Sequence, residues 1–359
     1  KGSPGSLFLY PFLFSIFAVM KTILITGGAG FIGSHTAVEL IQAGYEVIVA
    51  DNLSNADTTC LEGVEKITRK KIPFHKADCC DKRQLKKIFE EHAIDGAIHF
   101  AGYKAVGESV YKPLMYYHNN LTSFMTLLEI MVENGGGNVV FSSSATVYGQ
   151  PDILPVTEET PRKPAASPYG NTKQICEDIL ADAVRAHPTL KGIILRYFNP
   201  IGAHASAMIG ELPRGVPNNL VPFITQTAAG IREELQIYGN DYNTPDGTAL
   251  RDYIDVVDLA AAHVSALKHM VRTDRTGSCD IFNVGTGKPI SVMELVNKFQ
   301  AVNKVPVKYR ITGRREGDVE AVWADTSLAN TVLGWKAACS VEQTLEKAWA
   351  WEKRLRGIK

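Results

Sequence analysis

A short apolar strand that runs into a glycine turn and then a helix constrains this chain more than any other feature. Residues 21–26 read KTILIT, rich in β-formers and bounded by glycine. GGAGFIG follows, and a helical pattern then runs to Ala43, with Gly44 placed to end it. In such a turn Gly27 permits the tight bend, Gly30 lets backbone approach a pyrophosphate, and Gly33 lets the helix pack close to the strand. The helix N-terminus presents N–H groups and the positive end of its dipole to phosphate.

The next segments repeat the alternation. Strands are expected at 46–50, 72–76, 97–100, 138–141 and 192–197, with helices near 58–70, 81–92, 112–133 and 168–187. Strands separated by helices imply a parallel sheet covered on both faces, a Rossmann-type doubly wound α/β fold. The second strand leads to Asp51. A carboxylate there binds both ribose hydroxyls and repels a 2′-phosphate, so the cofactor expected is NAD rather than NADP. Asp78, after the third strand, is placed to reach the adenine edge; its bland alternative is a solvated loop carboxylate.

Beyond about residue 198 the character changes. Loops rich in Pro, Gly and Asn occupy 199–222 and 239–252, with helices expected near 256–270, 291–303 and 341–354. The division expected is therefore a dinucleotide-binding domain over 20–197 and a smaller α/β substrate domain over 198–359, with some later strands free to return to the first sheet. Residues 1–6, KGSPGS, resemble a cloning scar. Residues 7–20, LFLYPFLFSIFAVM, are apolar but shorter than the ~20 residues of a spanning helix, and Pro11 interrupts them. We read 1–19 as a tag and leader, disordered and outside the fold, with Met20 as the natural start.

Composition excludes several classes. Thirty-eight Lys and Arg balance 38 Asp and Glu, so neither a nucleic-acid surface nor a membrane-binding basic face is expected. The six cysteines (Cys60, Cys79, Cys80, Cys176, Cys279, Cys339) form no CxxC pair and no metal-ligand spacing. They read as reduced thiols of a cytoplasmic protein, with no metal expected.

Proton chemistry is placed by two further segments. Tyr169 and Lys173 lie four apart on a predicted helix and so share a face. An ammonium beside a phenol stabilises phenolate and lowers its pKa, making the phenol a usable acid or base. A bare YxxxK also occurs on solvated helix faces. Upstream, however, FSSSATVYG (141–149) ends a strand at the sheet edge where such folds bind ligands, and it brings Ser144 to the same substrate hydroxyl.

With TGGAGFIG, DN, HFAG, FSSSATVYG and SPYGNTK in this order, the chain resembles the extended short-chain dehydrogenase/reductase family. HFAGYKAVGESV (99–110), LRYFNPIGAHAS (195–206), PNNLVPF (217–223), YGNDYNTPDGTALRDYIDVVDL (238–259) and RREGDV (314–319) narrow the resemblance to its UDP-glucose 4-epimerase branch, over nearly all of 21–352. The resemblance implies inversion at C4 of UDP-galactose and UDP-glucose through a 4-keto sugar, with tightly held NAD. Tyr169 would move the proton, Lys173 would bind the nicotinamide ribose, and Ser144 would relay or position the proton.

Cofactor contacts implied by the resemblance are Gly27, Gly30, Phe31, Ile32, Gly33, Asp51, Asn52, Asn55, Asp78, Cys79, Phe100, Ala101, Gly102, Lys104, Asn119, Ser142, Lys173, Tyr197 and Phe198. Substrate contacts implied are Ser144, Tyr169, Asn199, Asn219, Leu220, Tyr238, Arg251, Arg315, Asp318 and Val322. Planar, permanently charged Arg251 and Arg315 suit a diphosphate. Val322, where a large Tyr would close the sugar's 2-position, implies room for UDP-GalNAc and UDP-GlcNAc. A homodimer through the helices near 112–133 and 168–187 is implied as well. Phe31, Cys79, Tyr103 and Asp255 depart from the family's common residues.

Two rival readings remain. A nucleotide-sugar 4,6-dehydratase needs an Asp–Glu acid–base pair just after Ser144, where this chain has Ala145 and Thr146. A non-catalytic NAD-binding regulator needs the glycine turn but not Tyr169 with Lys173.

Overall fold

The computed structural model describes residues 21–273, 276–315 and 318–359; the leader at 1–19 lies outside them. The first half alternates as β1 (Thr22–Thr26), α1 (Phe31–Gln42), β2 (Glu46–Asp51), α2 (Thr59–Thr68), β3 (Phe74–Lys76), α3 (Lys82–Glu91), β4 (Gly96–His99), α4 (Val106–Tyr111), α5 (Pro113–Glu133), β5 (Gly137–Ser144), α6 (Pro168–Ala186) and β6 (Leu190–Tyr197). The second half adds β7 (Asn199–Ile201), α7 (Leu220–Ala228), β8 (Leu235–Tyr238), β9 (Leu250–Asp255), α8 (Val256–Arg272), β10 (Cys279–Val284), β11 (Pro289–Ser291), α9 (Val292–Asn303), β12 (Tyr309–Thr312), β13 (Ala321–Val322) and α10 (Val341–Arg356).

Seven parallel strands form the main sheet in the order β3-β2-β1-β4-β5-β6-β10. The order reverses between β1 and β4, and in open α/β sheets the crevice above such a reversal is where ligands bind. One apolar layer lies on the α1, α2 and α8 face, the other on the α3, α5 and α6 face. Strands buried on both faces read as continuous apolar runs, which is why 22–26, 46–51 and 190–197 are legible as strands.

Within 198–359 the chain divides its elements. β10 pairs with β6 throughout 279–284, and α8 packs on α1, so both belong to the main sheet's layers. A second small sheet joins β11, β9 and β13, with β7 paired to β9, and β8 pairs with β12. A third apolar cluster fills the space between these strands, α7, α9 and α10. Asp255 sits at the junction and is fully enclosed. It caps α8 through the Val257 N–H (2.9 Å) and meets Lys347 at 2.5 Å and Thr344 at 2.9 Å, so its departure from the family's common His comes with its own partner.

A buried polar network runs beneath the carboxyl edge of β5 and β6. Glu177 of α6 accepts two bonds from Arg196 (2.9 and 2.7 Å) and one from Ser143 (2.5 Å). Arg196 also donates to the Tyr148 hydroxyl (3.0 Å), which donates to Asn283 of β10 (2.6 Å). The Glu177 and Arg196 side chains are 3% and 4% exposed, so neither charge can recover hydration if its partner is lost. Glu177→Ala should therefore cost about 3–5 kcal/mol. Urea unfolding checks this; a loss below about 1 kcal/mol would place the pair among weak surface bridges.

Candidate active site

At the carboxyl edge lies a cleft of about 390 Å³. One wall begins with the turn after β1. Gly27 adopts φ +71°, and a Cβ there would lie 2.6 Å from the Ala101 backbone nitrogen. A Cβ on Gly33 would lie 2.6 Å from the Gly27 carbonyl oxygen, so helix and turn touch. Around Gly30 only that same carbonyl comes near, at 3.3 Å, which leaves the turn open toward the cleft. No side chain caps α1 and no acid stands in its first turn, so its N–H groups are available to an anion. At the end of β2, Asp51 accepts from the Ala29 and Leu53 N–H groups (3.1 and 2.8 Å). Burial pushes its carboxyl upward against those bonds and against the Arg214 charge.

The other wall comes from β5, α6 and β6. Ser144 ends β5 and caps the short 3₁₀ turn Ala145–Tyr148 by accepting from the Thr146 N–H at 3.2 Å. Ser167 caps α6 through the Gly170 N–H, and Pro168 opens the helix, which sets Tyr169 and Lys173 on adjacent turns. Lys173 is buried and donates to the Ser142 carbonyl at 2.6 Å. Its Nζ is 5.9 Å from the Tyr169 ring centre.

The electrostatics here differ from the sequence expectation. The phenol of Tyr169 is not lowered by Lys173: burial pushes it up to about 12, opposed only by the neighbouring Ser144 hydroxyl. Lys173 itself is drawn down to about 8 by burial, with Cys176 and Glu177 opposing. The shared helix face is present, but the ammonium is turned to the Ser142 carbonyl. Beneath them His99 is held neutral by burial at about 3 and bonds Thr26 at 2.8 Å. Tyr197 hydrogen-bonds the buried, neutral His263.

All the anticipated cofactor residues line this one cleft, from Gly27 to Phe198, together with Ser144, Tyr169, Asn199 and Asn219. Cys79 is buried and its thiol is pushed far up, so it is an inert wall residue. Leu220 starts α7 next to Asn219. Tyr238, Arg251, Arg315, Asp318 and Val322 do not line the cleft. They gather beside it on and around β8, β9 and β13. Val322 is paired with Arg251, Arg315 bonds Asp318 (2.7 and 3.2 Å), and the Arg315 guanidinium lies 5.5 Å from the Tyr238 ring. Val322 packs with Ala145, Val147, Tyr148 and Phe198, which ties this group to the cleft wall.

The structure adds lining residues outside the quoted motifs, among them Glu211 and Arg214, and also places Tyr103 on the wall. Glu211 accepts from Lys104 (3.0 Å) and from Asn219 (2.6 Å), linking a residue expected at the cofactor to one expected at the substrate. Away from the cleft, His75, Glu91 and His92 bring three metal-competent atoms within 4.8 Å, but the two imidazoles satisfy each other at 3.0 Å.

A family model described as GDP-mannose 4,6 dehydratase matches residues 24–348. Ala145 and Thr146, the two positions that follow Ser144, hold no carboxyl for the acid–base work of a dehydration. The chain is 48% identical over 332 residues to a UDP-glucose 4-epimerase from Pasteurella multocida, covering 92% of this chain and 97% of that one. It is 49% identical over 330 residues to the Bacillus subtilis UDP-glucose 4-epimerase, covering 92% and 96%. A crystal structure of UDP-glucose 4-epimerase from Bifidobacterium longum, in complex with NAD+ and UDP, matches with a TM-score of 0.91 at 45% identity, over 94% of this chain and 100% of that one. A glycine turn, a carboxylate at the end of β2 and a Ser–Tyr–Lys set around one cleft thus coincide with near-complete alignment to these enzymes, and the chain belongs to the UDP-glucose 4-epimerase family.

Proposed function

We propose that the protein interconverts UDP-galactose and UDP-glucose by inverting C4 through a 4-keto sugar, with NAD held in the cleft. The observation that carries this reading is the single cleft. Gly27–Gly33 and Asp51 form one end, and Ser144, Tyr169 and Lys173 form the wall that faces it. The glycine turn and the free α1 N-terminus suit the pyrophosphate, and Asp51 suits the adenosine ribose. Lys173 suits the second ribose. When bound, NAD supplies a two-electron acceptor that accepts hydride from C4 and returns it.

The chain's own residues do the rest. Tyr169 takes the proton of the 4-hydroxyl and returns it to the C4 oxygen after the keto sugar has turned, so that the returning hydride meets the opposite face of C4. Because burial favours its neutral phenol, it needs positive charge beside it to act as a base, and Lys173 is the cation on its helix face. Ser144 supports the proton's path through its hydroxyl. Asn199 and Asn219 suit the sugar nucleotide from the cleft side. Arg251 and Arg315 suit the diphosphate, and Tyr238, Leu220 and Asp318 complete that end.

We infer a wider pocket at the sugar's 2-position from the small side chain of Val322, which stands beside the cleft. It shares an apolar cluster with Phe198, which lines the cleft, and Val322 rather than Trp323 belongs to that cluster. UDP-GalNAc and UDP-GlcNAc are therefore proposed as further substrates. A homodimer is proposed through α5 and α6, which pack together; Tyr111 and Leu114 near the start of α5 are 85% and 81% exposed. Six free thiols fit a reducing cytoplasm, and among the described residues no helix is long and apolar enough to cross a membrane.

Purified protein should convert UDP-galactose to UDP-glucose without added NAD, and Tyr169→Phe should lower that rate at least ~10²-fold while nucleotide stays bound. Near-wild-type turnover in Tyr169→Phe would remove the phenol from the mechanism. Val322→Tyr should suppress kcat/KM for the N-acetylated pair and spare UDP-galactose, since a packed wall does not yield to a ring. Equal effects on both pairs would place Val322 outside the pocket.

A further inference from the structure

A reaction that removes a hydride and returns it to the same sugar does not consume its cofactor. Loss of the reduced cofactor, NADH, between the two half-reactions would strand the keto sugar, so the cofactor must stay while the sugar turns. The segment 207–219 has the connections to enforce this. It lines the cleft from Gly210 to Asn219 and is tied to both walls.

The adenosine side is held by Arg214. Its guanidinium donates to the carbonyls of Leu53 (3.1 Å), Ser54 (3.3 Å) and Ala56. These three carbonyls lie in the loop that follows Asp51. Leu53 has φ +59°, a left-handed conformation that a branched side chain rarely adopts. Two charged side chains grip it there: Asp51 accepts from its N–H at 2.8 Å, and Arg214 donates to its carbonyl. A planar fork with five N–H donors can serve several carbonyls at once, which a Lys point charge cannot. The same segment presses on α2, where a Cβ on Gly63 would lie 2.4 Å from both Ile209 and the Met208 carbonyl. At the far wall Glu211 bonds Lys104 and Asn219.

We propose that 207–219 is a clasp that retains NAD through both half-reactions, with Arg214 as its fastening on the adenosine side. The proposal rests on the NAD-dependent reading above. It assigns to Arg214 a role in cofactor residence: releasing its three carbonyl bonds frees the loop that follows Asp51 and carries Asn52 and Asn55, and so opens the exit for the adenosine half.

The test follows NAD leaving the holoenzyme. NAD-loaded protein is diluted into buffer containing alcohol dehydrogenase and ethanol, which convert released NAD to fluorescent NADH. Arg214→Ala should release NAD at least ~10-fold faster than wild type, since most changes in one binding site act through the off-rate. Arg214 is exposed, so truncation opens no core cavity. Arg214→Met, which keeps the stem and deletes only the guanidinium, should release NAD equally fast and reports independently if the Ala variant does not fold. Release unchanged from wild type in either folded variant overturns the clasp. A wild-type protein that binds no NAD at all would overturn the reading on which it rests.

Discussion

The near-contact of two backbone segments decides where everything else in this molecule goes. The turn after β1 passes so close to the end of β4 that Gly27 has no room for a Cβ against Ala101. That contact occurs where the sheet reverses its order, so it both closes the floor of the crevice and points α1 into it. Asp51 then stands at the end of the neighbouring strand, and Ser144 at the end of β5 two strands away on the other side. Parallel strands of similar length put their carboxyl ends on one rim, and the chemistry follows from which side chain each strand carries there.

Burial at this rim has electrostatic consequences. Burial holds His99 and His263 neutral, raises the Tyr169 phenol and lowers the Lys173 ammonium. In such surroundings a charge near the Tyr169 ring acts more strongly than it would in water. Glu177 lies one helical turn beyond Lys173 and is itself neutralised by Arg196. Helix α6 is thus anchored to β5 and β6 without leaving an unpaired carboxylate one turn from Lys173.

Legibility in the sequence followed physical cause. The β1 turn, α1, Asp51, α5 and α6 were readable because long apolar runs and glycine punctuation leave few alternatives. The strands of the second half were not. β7, β8, β11, β12 and β13 are two to four residues long, and sites such as Tyr238 and Arg310 carry polar faces, so no period of two emerges. The placement of Tyr169 and Lys173 on one face was legible, but the direction of the Tyr169 shift was not. It depends on burial and on the Ser142 carbonyl capturing the Lys173 ammonium, both tertiary facts. Arg214 and Glu211 were silent because loop residues that bond backbone carbonyls and distant side chains leave no local pattern.

The central claim is that hydride leaves and re-enters the same sugar within one closed site. UDP-galactose deuterated at C4 tests it, incubated with purified protein in ordinary water without added NAD, and the UDP-glucose formed is weighed by mass spectrometry. The product should keep the deuterium at C4, because the hydride never exchanges with solvent. Product that has lost the deuterium to water would contradict it.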